Sequence, residues 1–387
     1  MIAGKIFAAL TLLILSTSAA LVPGANFDRV VIIVLENQDY AEASRDPYLS
    51  SLSSNGALLT NYMAIAHPSQ PNYLAIVAGT DEGISDDGNY NFGSKTVVDL
   101  LEAKGMLRVP KMFLFSFTLV QIYQRVLRTI SGISWKSYQE NYPSTCYTGT
   151  SSRLYYRKHN PFISFTNISG NSTRCAKIVD ATELATDIQN NAVPQFVWYT
   201  PNINDDGHNT NLATASKWLK GFLTPKLSEP NFITNTVVLI TFDESETQSG
   251  PNQVYSALVG PVVSVQGSDN TAYTHYSMLA TIEENWGLGN LGQNDVDAIV
   301  FNNLAKPDVS TTSTIGFATT TTSSFVTTST DGGVATTTTG LATTTTEPVT
   351  TTTGLVTTTT GIFTTTSAPF ARRRGLEMRR RIGWRRL

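Results

Sequence analysis

The sequence predicts an α/β sandwich, and three observations carry that prediction. Three β-branched runs stand far apart in the chain, each is followed at once by polar residues, and helix-forming segments separate them. Strands covered on both faces read as unbroken apolar runs, and their alternation with helices implies a mainly parallel sheet between helical layers.

The first run, residues 27–35 (FDRVVIIVL), leads into Glu36 and Asn37. The second, 195–199 (QFVWY), leads into Thr200, Pro201 and Asn202, and the third, 236–242 (TVVLITF), into Asp243 and Glu244. Ligands of open α/β sheets bind at the carboxyl ends of the strands, so a pattern repeated three times points to one site. Helices are expected at 48–55, 96–104, 181–190, 210–223 and 277–286. In the fourth, Ala213, Trp218, Leu219 and Phe222 form an apolar face at helical spacing.

With 387 residues, 41% hydrophobic and 15% charged, the chain can bury one large core or two ordinary ones. The formal charge is -3, but residues 372–387 hold eight Arg and one Glu, +7 together, which leaves -10 for the rest. An acidic body lacks the basic face that nucleic-acid binding needs.

Residues 1–20 read as an export signal, with Lys5, an apolar run at 6–15 and the small residues Ser18, Ala19 and Ala20 at its end. The run is too short to span a bilayer. Export makes a Cys146–Cys175 disulfide the expected state of the two cysteines. The sequons at Asn167 and Asn171 fall inside the loop it would close, which suits a glycosylated outer surface. Residues 21–305 form the expected catalytic domain.

The segment 106–132 interrupts that domain. No Asp or Glu occurs between positions 103 and 139, and MFLFSFTLVQIY inside the segment is apolar. Removing 106–132 joins LLEAKG to ISWKSY, a helix ending at Gly followed by a strand. The segment therefore reads as translated intron; the alternative is an apolar lid helix over a lipid site. Beyond residue 305, residues 306–370 repeat short units such as Gly340, Leu341, Ala342 followed by Thr, as in an O-glycosylated stalk. The Arg-rich residues 371–387 are no GPI signal. Secretion, with cell-wall association through the Thr-rich tail, is the expected location.

Four His occur, His67, His159, His208 and His275, all in loop-like sequence beside Pro, Gly, Asp or Tyr. Glu36, Asn37, Asp243 and Glu244 are hard oxygen ligands at two strand ends and suit a divalent cation. Taken singly, each acid could instead be a helix cap or a loop acid. Ser69, in HPSQPNY, is the best nucleophile candidate, since the apolar stretch after it looks like a buried helix whose N-terminus would attract an anion. Its competing reading is a plain helix cap. No GxSxG elbow is present.

The blocks LENQDY (35–40), HPSQPNYLAIVAGT (67–80), RKHNPF (157–162), PNINDDGH (201–208), TFDESE (241–246) and THYSMLATIEENWGL (274–288) resemble, in order, those of the phosphoesterase family of fungal secreted acid phosphatases and bacterial phospholipases C. That resemblance implies an alkaline-phosphatase-like core, with Ser69 as nucleophile and Glu36, Asn37, Asp243 and Glu244 around a divalent metal. It further implies that His159, His208 and His275 bind phosphate or protonate the leaving group, with Asp205 and Asp206 on the same rim. His67 matches the acid-phosphatase branch better than the phospholipase branch, and His67 and Asn72 are expected to touch substrate.

The expected activity is phosphomonoester hydrolysis through a phosphoserine, with an acidic optimum if the histidines are cationic below neutrality. Phospholipase C action is the nearest alternative. A wall-linked adhesive glycoprotein with an inactive core is the alternative of another class.

Overall fold

The computed structural model describes residues 21–104 and 132–307. The expected export signal, the tail beyond residue 307 and nearly all of the 106–132 segment lie outside the described residues.

One sheet organises the chain. Its strands are β1 (Arg29–Leu35), β2 (Ala57–Leu59), β3 (Trp135–Gln139), β4 (Ile178–Asp180), β5 (Phe196–Thr200), β6 (Thr236–Phe242), β7 (Ser256–Val259) and β8 (Gly267–Asp269). They lie in the order β8-β2-β7-β6-β1-β5-β3-β4. β7 alone among them runs antiparallel to its neighbours. The three apolar runs of the sequence are the central strands β6, β1 and β5, and every residue of each is buried. The short strands were not expected because three or four residues carry no periodicity of their own.

Helices cover both faces. They are α1 (Pro47–Ser54), α2 (Ser69–Ala78), α3 (Val97–Ala103), α4 (Glu183–Gln189), α5 (Leu212–Lys226) and α6 (His275–Trp286). Successive strand residues point to opposite faces. Trp198 lies beside Tyr73 of α2, while the next residue, Tyr199, packs on Trp218 and Phe222 of α5. Hence α2 and α5 occupy opposite layers. α1 joins α5, where Ser216 Oγ donates to Asp46 Oδ1 at 2.6 Å, and α6 packs on α2.

Local sequence sets these helices. Asp46 caps α1, Asn211 caps α5, and capping boxes start α3 (Thr96 with Asp99) and α6 (Thr274 with Ser277). Gly79 and Gly287 end α2 and α6 in the left-handed conformation. All ten residues of α2 are buried, so it runs through the core. Cys146 and Cys175 are joined as a disulfide that ties the β3–β4 connection.

The Asn171 side chain is exposed, whereas Asn167 donates its amide to Asp99 Oδ2 at 2.7 Å. Among the described residues, no helix is long and apolar enough to cross a membrane.

Candidate active site

The register of β1 on β6 creates the site. Leu35 pairs with Phe242, so the next residues, Glu36 and Asp243, leave parallel strands at the same level. The ladder continues one step, Asp243 N donating to Leu35 O at 3.0 Å, and Glu36 N donates to Asp206 O at 3.0 Å. Three loops are thereby fixed at one edge. Asn37 takes a positive φ of 38°, a conformation Asn tolerates, and its N–H donates to Asp243 Oδ1 at 3.2 Å.

Ser69 is the first residue of α2, with Pro68 in the cap position, so it is not the helix cap. Its hydroxyl donates to Glu36 Oε2 at 3.0 Å and lies 3.4 Å from Glu244 Oε1. Glu244 Oε2 in turn holds His67 Nδ1 in a short contact. The other ring nitrogen of His67, Nε2, is buried without a protein partner. Asn72 accepts from Ile65 N and Ala66 N and donates to Ala66 O, so it braces the loop that carries His67 and does not face the site, where the sequence reading had it touching substrate.

His159 lies buried between two acids, Nε2 3.2 Å from Glu36 Oε1 and Nδ1 3.2 Å from Asp206 Oδ2. Its ring stacks on Tyr73, whose hydroxyl donates to Glu36 Oε1. His208 is exposed at the rim. His275 differs from expectation: it is buried behind the site, Nε2 2.6 Å from Asp243 O and Nδ1 3.3 Å from the Tyr62 hydroxyl. Both nitrogens are taken, so it positions Asp243 and has none left for a substrate. Asp205 also departs from Asp206, accepting from Asn202 Nδ2 at 2.6 Å beside Glu140, in a cavity on the α5 side of the sheet.

Four carboxyl groups crowd this space. Burial, reinforced by Asp243 and Asp206, pushes Glu36 well above the usual carboxylate range. Burial also pushes Asp243 and Asp206 up to about 7, and Glu244, with Asp243 beside it, to about 8. The histidines shift the other way: burial holds His159 well below its ordinary value and lowers His275 to about 4. The expectation of several imidazoliums around the phosphate therefore does not fit these two.

A divalent cation suits the residues present. Asp243 Oδ2, Asp206 Oδ2 and His159 Nε2 are buried with no hydrogen-bond partner. The Asn37 side-chain nitrogen donates to Glu36 Oε2 at 2.9 Å and to Asp243 Oδ1 at 3.2 Å; with a cation present, the amide turned over would set its oxygen beside theirs as a third oxygen ligand. Buried, mutually repelling acids with unpartnered oxygens need positive charge. Glu36, His159 and Asp206 also bring one ligand atom each within 4.8 Å of one another. The sequence reading assigned those last two to substrate alone, because a ligand set spread over three loops has no spacing signature.

Two further residues at the site were missed. Lys158 stands beside Ser69, and Asp87 holds Lys158 with an Nζ–Oδ2 distance of 3.0 Å. A Lys next to a His in RKHNPF was overlooked in favour of its neighbour.

Residues 38–289 match the sequence model of the Phosphoesterase family. A probable acid phosphatase from Kluyveromyces lactis is 40% identical, the match covering 76% of this chain and 68% of the relative. A phosphate-repressible acid phosphatase from Penicillium chrysogenum is 37% identical, covering 73% and 65%. The chain thus corresponds to about two thirds of those relatives' length. A crystal structure of a protein in the alkaline phosphatase superfamily from Vibrio parahaemolyticus superposes over 72% of each chain, with 12% identity and a TM-score of 0.43.

Proposed function

The chain belongs to the Phosphoesterase family, and from that premise we propose that it is an exported, metal-dependent acid phosphatase that cleaves phosphomonoesters through a phosphoserine at Ser69. The observation that carries the reading is the Ser69 hydroxyl at a helix N-terminus, bonded to Glu36 amid buried, cation-seeking carboxylates. The fungal relatives bear the name acid phosphatase, which supports the substrate class.

Glu36, Asn37, Asp243 and Glu244 would hold the cation, with His159 and Asp206 closing the Glu36 side. Bound there, a divalent cation supplies positive charge against the phosphoryl oxygens. The rest is work for the side chains. Glu36 Oε2 lies where the Ser69 proton points, and the α2 N-terminus favours the anionic group that Ser69 attacks. Glu244 orients His67 through Nδ1 and leaves Nε2 to hold a proton for the departing oxygen and later to accept one from water. Tyr73 fixes Glu36 and the His159 ring together.

A cavity of about 450 Å³ adjoins Asn37 and His208 and is lined by Gln38, Glu42, Thr210, Asn211 and Glu246. Such walls suit a hydrophilic leaving group and favour a soluble monoester over a lipid diester. The assembled nucleophile and acids weigh against an adhesive protein with an inactive core. Export is supported by the signal-like residues 1–20 and the Cys146–Cys175 disulfide. We keep the Thr-rich segment as a stalk that could hold the domain at a cell wall.

The test is hydrolysis of an aryl phosphate with an acid-quench mass measurement. Wild type should carry one phosphoryl group on the Ser69 peptide, and Ser69→Ala should fold, be exported and be inactive. Normal turnover by Ser69→Ala would falsify the assignment.

A further inference from the structure

We propose that Lys158 is a catalytic residue whose ammonium, pinned by Asp87, stabilises the Ser69 oxygen as it loses its proton and then the equatorial oxygens of the transferring phosphoryl group. The inference rests on the phosphoserine reading above and adds a charged group that none of the expected acids and histidines supplies.

The backbone of Lys158 is fixed from both sides. Arg157, buried, donates to Thr148 O at 2.7 Å, to Tyr90 O and to Asn91 Oδ1 at 3.2 Å, while Thr200 Oγ1 donates to the His159 carbonyl at 3.2 Å. A side chain leaving this turn has little freedom to lose when substrate arrives.

An ammonium has three N–H donors, and all three of Lys158 are accounted for. One meets Asp87 Oδ2 at 3.0 Å, one His208 Nε2 at 3.2 Å, and one Ser69 Oγ at 3.5 Å. Because the Ser69 proton points to Glu36, Lys158 faces a lone pair of the oxygen that must become nucleophilic. The 3.5 Å contact is long for the resting hydroxyl, and an alkoxide or a phosphoryl oxygen would shorten it, so the bond strengthens as the reaction proceeds.

Asp87 makes the arrangement a single unit. Its Oδ2 accepts from Lys158, and its Oδ1 accepts from Gln70 N, at 2.9 Å, in the first turn of α2. The Gln70 side chain answers by accepting from Gly88 N at 2.6 Å. One carboxylate therefore sets both the position of the nucleophile's helix and the position of the ammonium. Among the described residues, no other Lys or Arg bonds a side chain of the candidate site.

In the first half-reaction the Ser69 O–H bond breaks with its proton passing to the Glu36 carboxylate, and the Oγ–P bond forms. The P–O bond to the leaving group breaks, and that oxygen takes the Nε2 proton of His67, which enters this step as the imidazolium with its Nδ1–H on Glu244 and leaves it neutral. Lys158 keeps its own protons throughout.

The test compares wild type, Lys158→Met, Lys158→Arg and Asp87→Asn on 4-nitrophenyl phosphate and on a simple alkyl phosphate, with Tm measured for each. Removing one transition-state donor of this kind costs roughly 100-fold or more in turnover. Lys158→Met should lose about that much, by the same factor on both esters, and bind inorganic phosphate more weakly, with Lys158→Arg recovering part of the loss. Asp87→Asn, which keeps the charge but frees it, should lose on the order of tenfold and serves if Lys158→Met does not fold. A Lys158→Met enzyme within about threefold of wild type overturns the proposal. So does a loss confined to the alkyl ester, which would make Lys158 a leaving-group acid, or an Asp87→Asn enzyme of undiminished rate. Failure of the phosphoserine reading shows separately, as wild type without Ser69-dependent turnover of either ester.

Discussion

The Ser69 hydroxyl and the Glu36 carboxylate, 33 residues apart in the chain, meet at 3.0 Å. Neither position is an accident of side-chain reach. Glu36 is the first residue past a strand whose seven residues are all buried, and Ser69 opens a helix whose ten residues are all buried. Both ends are therefore held by the core, and a core packed at crystal density does not let them drift.

Removal of the cation should cost stability as well as turnover. The acids Glu36, Asp206, Asp243 and Glu244 repel one another without a counter-charge, and a ligand bound only by the folded state stabilises it by mass action. A chelator should lower Tm and abolish hydrolysis, and added divalent cation should restore both. An unchanged Tm with full activity in chelator would contradict the metal assignment.

His275→Phe should act through Asp243 and not through substrate. The imidazole satisfies the Asp243 carbonyl and the Tyr62 hydroxyl, both buried, and stranding such groups costs about 1–3 kcal/mol each. Tm should fall by several degrees and kcat should drop with KM nearly unchanged, by equal factors on aryl and alkyl esters. A drop confined to the alkyl ester at unchanged Tm would instead give His275 a direct role with the leaving group.

How much of this was legible in the sequence depends on distance along the chain. Glu36, Asn37, Asp243 and Glu244 were found because each follows an apolar strand, and the polarity of strand ends is a local property. The three central strands and five helices were legible for the same reason, with ends displaced by up to three residues. Asn72 and His275 were given substrate contacts because their blocks matched the family, yet which way each side chain turns is decided by its bond to Ala66 or to Tyr62, 6 and 213 positions away along the chain, which no motif encodes. Lys158 and Asp87 were invisible because their pairing spans 71 residues and carries no spacing rule.

Glu283 should make the fold more stable in acid. Burial, with Asp295 next to it, pushes this carboxyl up to about 8, while the Asp295 oxygens accept from Leu291 N and Gln293 N. A folded-state pKa above the unfolded value means that the folded chain binds the extra proton. Its stabilising contribution is complete below the ordinary carboxyl range and is lost as pH rises through about 8. Wild-type Tm, measured from pH 4 to 9, should decline from the ordinary carboxyl range up to about 8 and level off above it, and Glu283→Gln should flatten the decline. Parallel profiles for the two proteins would refute this.

The chain without residues 106–132 should fold to the same core. Helix α3 ends at Ala103, with Lys104 in the cap position, so the next residue should be a C′ glycine and the one after it should return an N–H to the Leu101 carbonyl. In the structure that second bond is made by Ile133, whose N–H donates to Leu101 O at 2.9 Å. Gly132 sits so close to the helix end that a Cβ there would lie 2.5 Å from Leu101 O and 2.6 Å from Glu102 O. Gly132 thus lies against the end of α3, and the joined sequence LLEAKGISW is the same whichever glycine is kept. Across the junction, Trp135 Nε1 donates to Glu102 Oε1 at 2.8 Å, and Arg174 and Lys177 pair with the same Glu102 carboxylate. The helix end and the strand start are therefore fastened directly to each other. Closing a shorter connection also costs less chain entropy. The shortened protein should be secreted at least as well as the full chain, with Tm equal or higher and the Ser69-dependent rate retained within about threefold, the spread expected of a change remote from the site. Loss of the folded state on deletion, seen as a missing unfolding transition, would mean that the segment supplies part of the core, as a lid helix over a lipid site would.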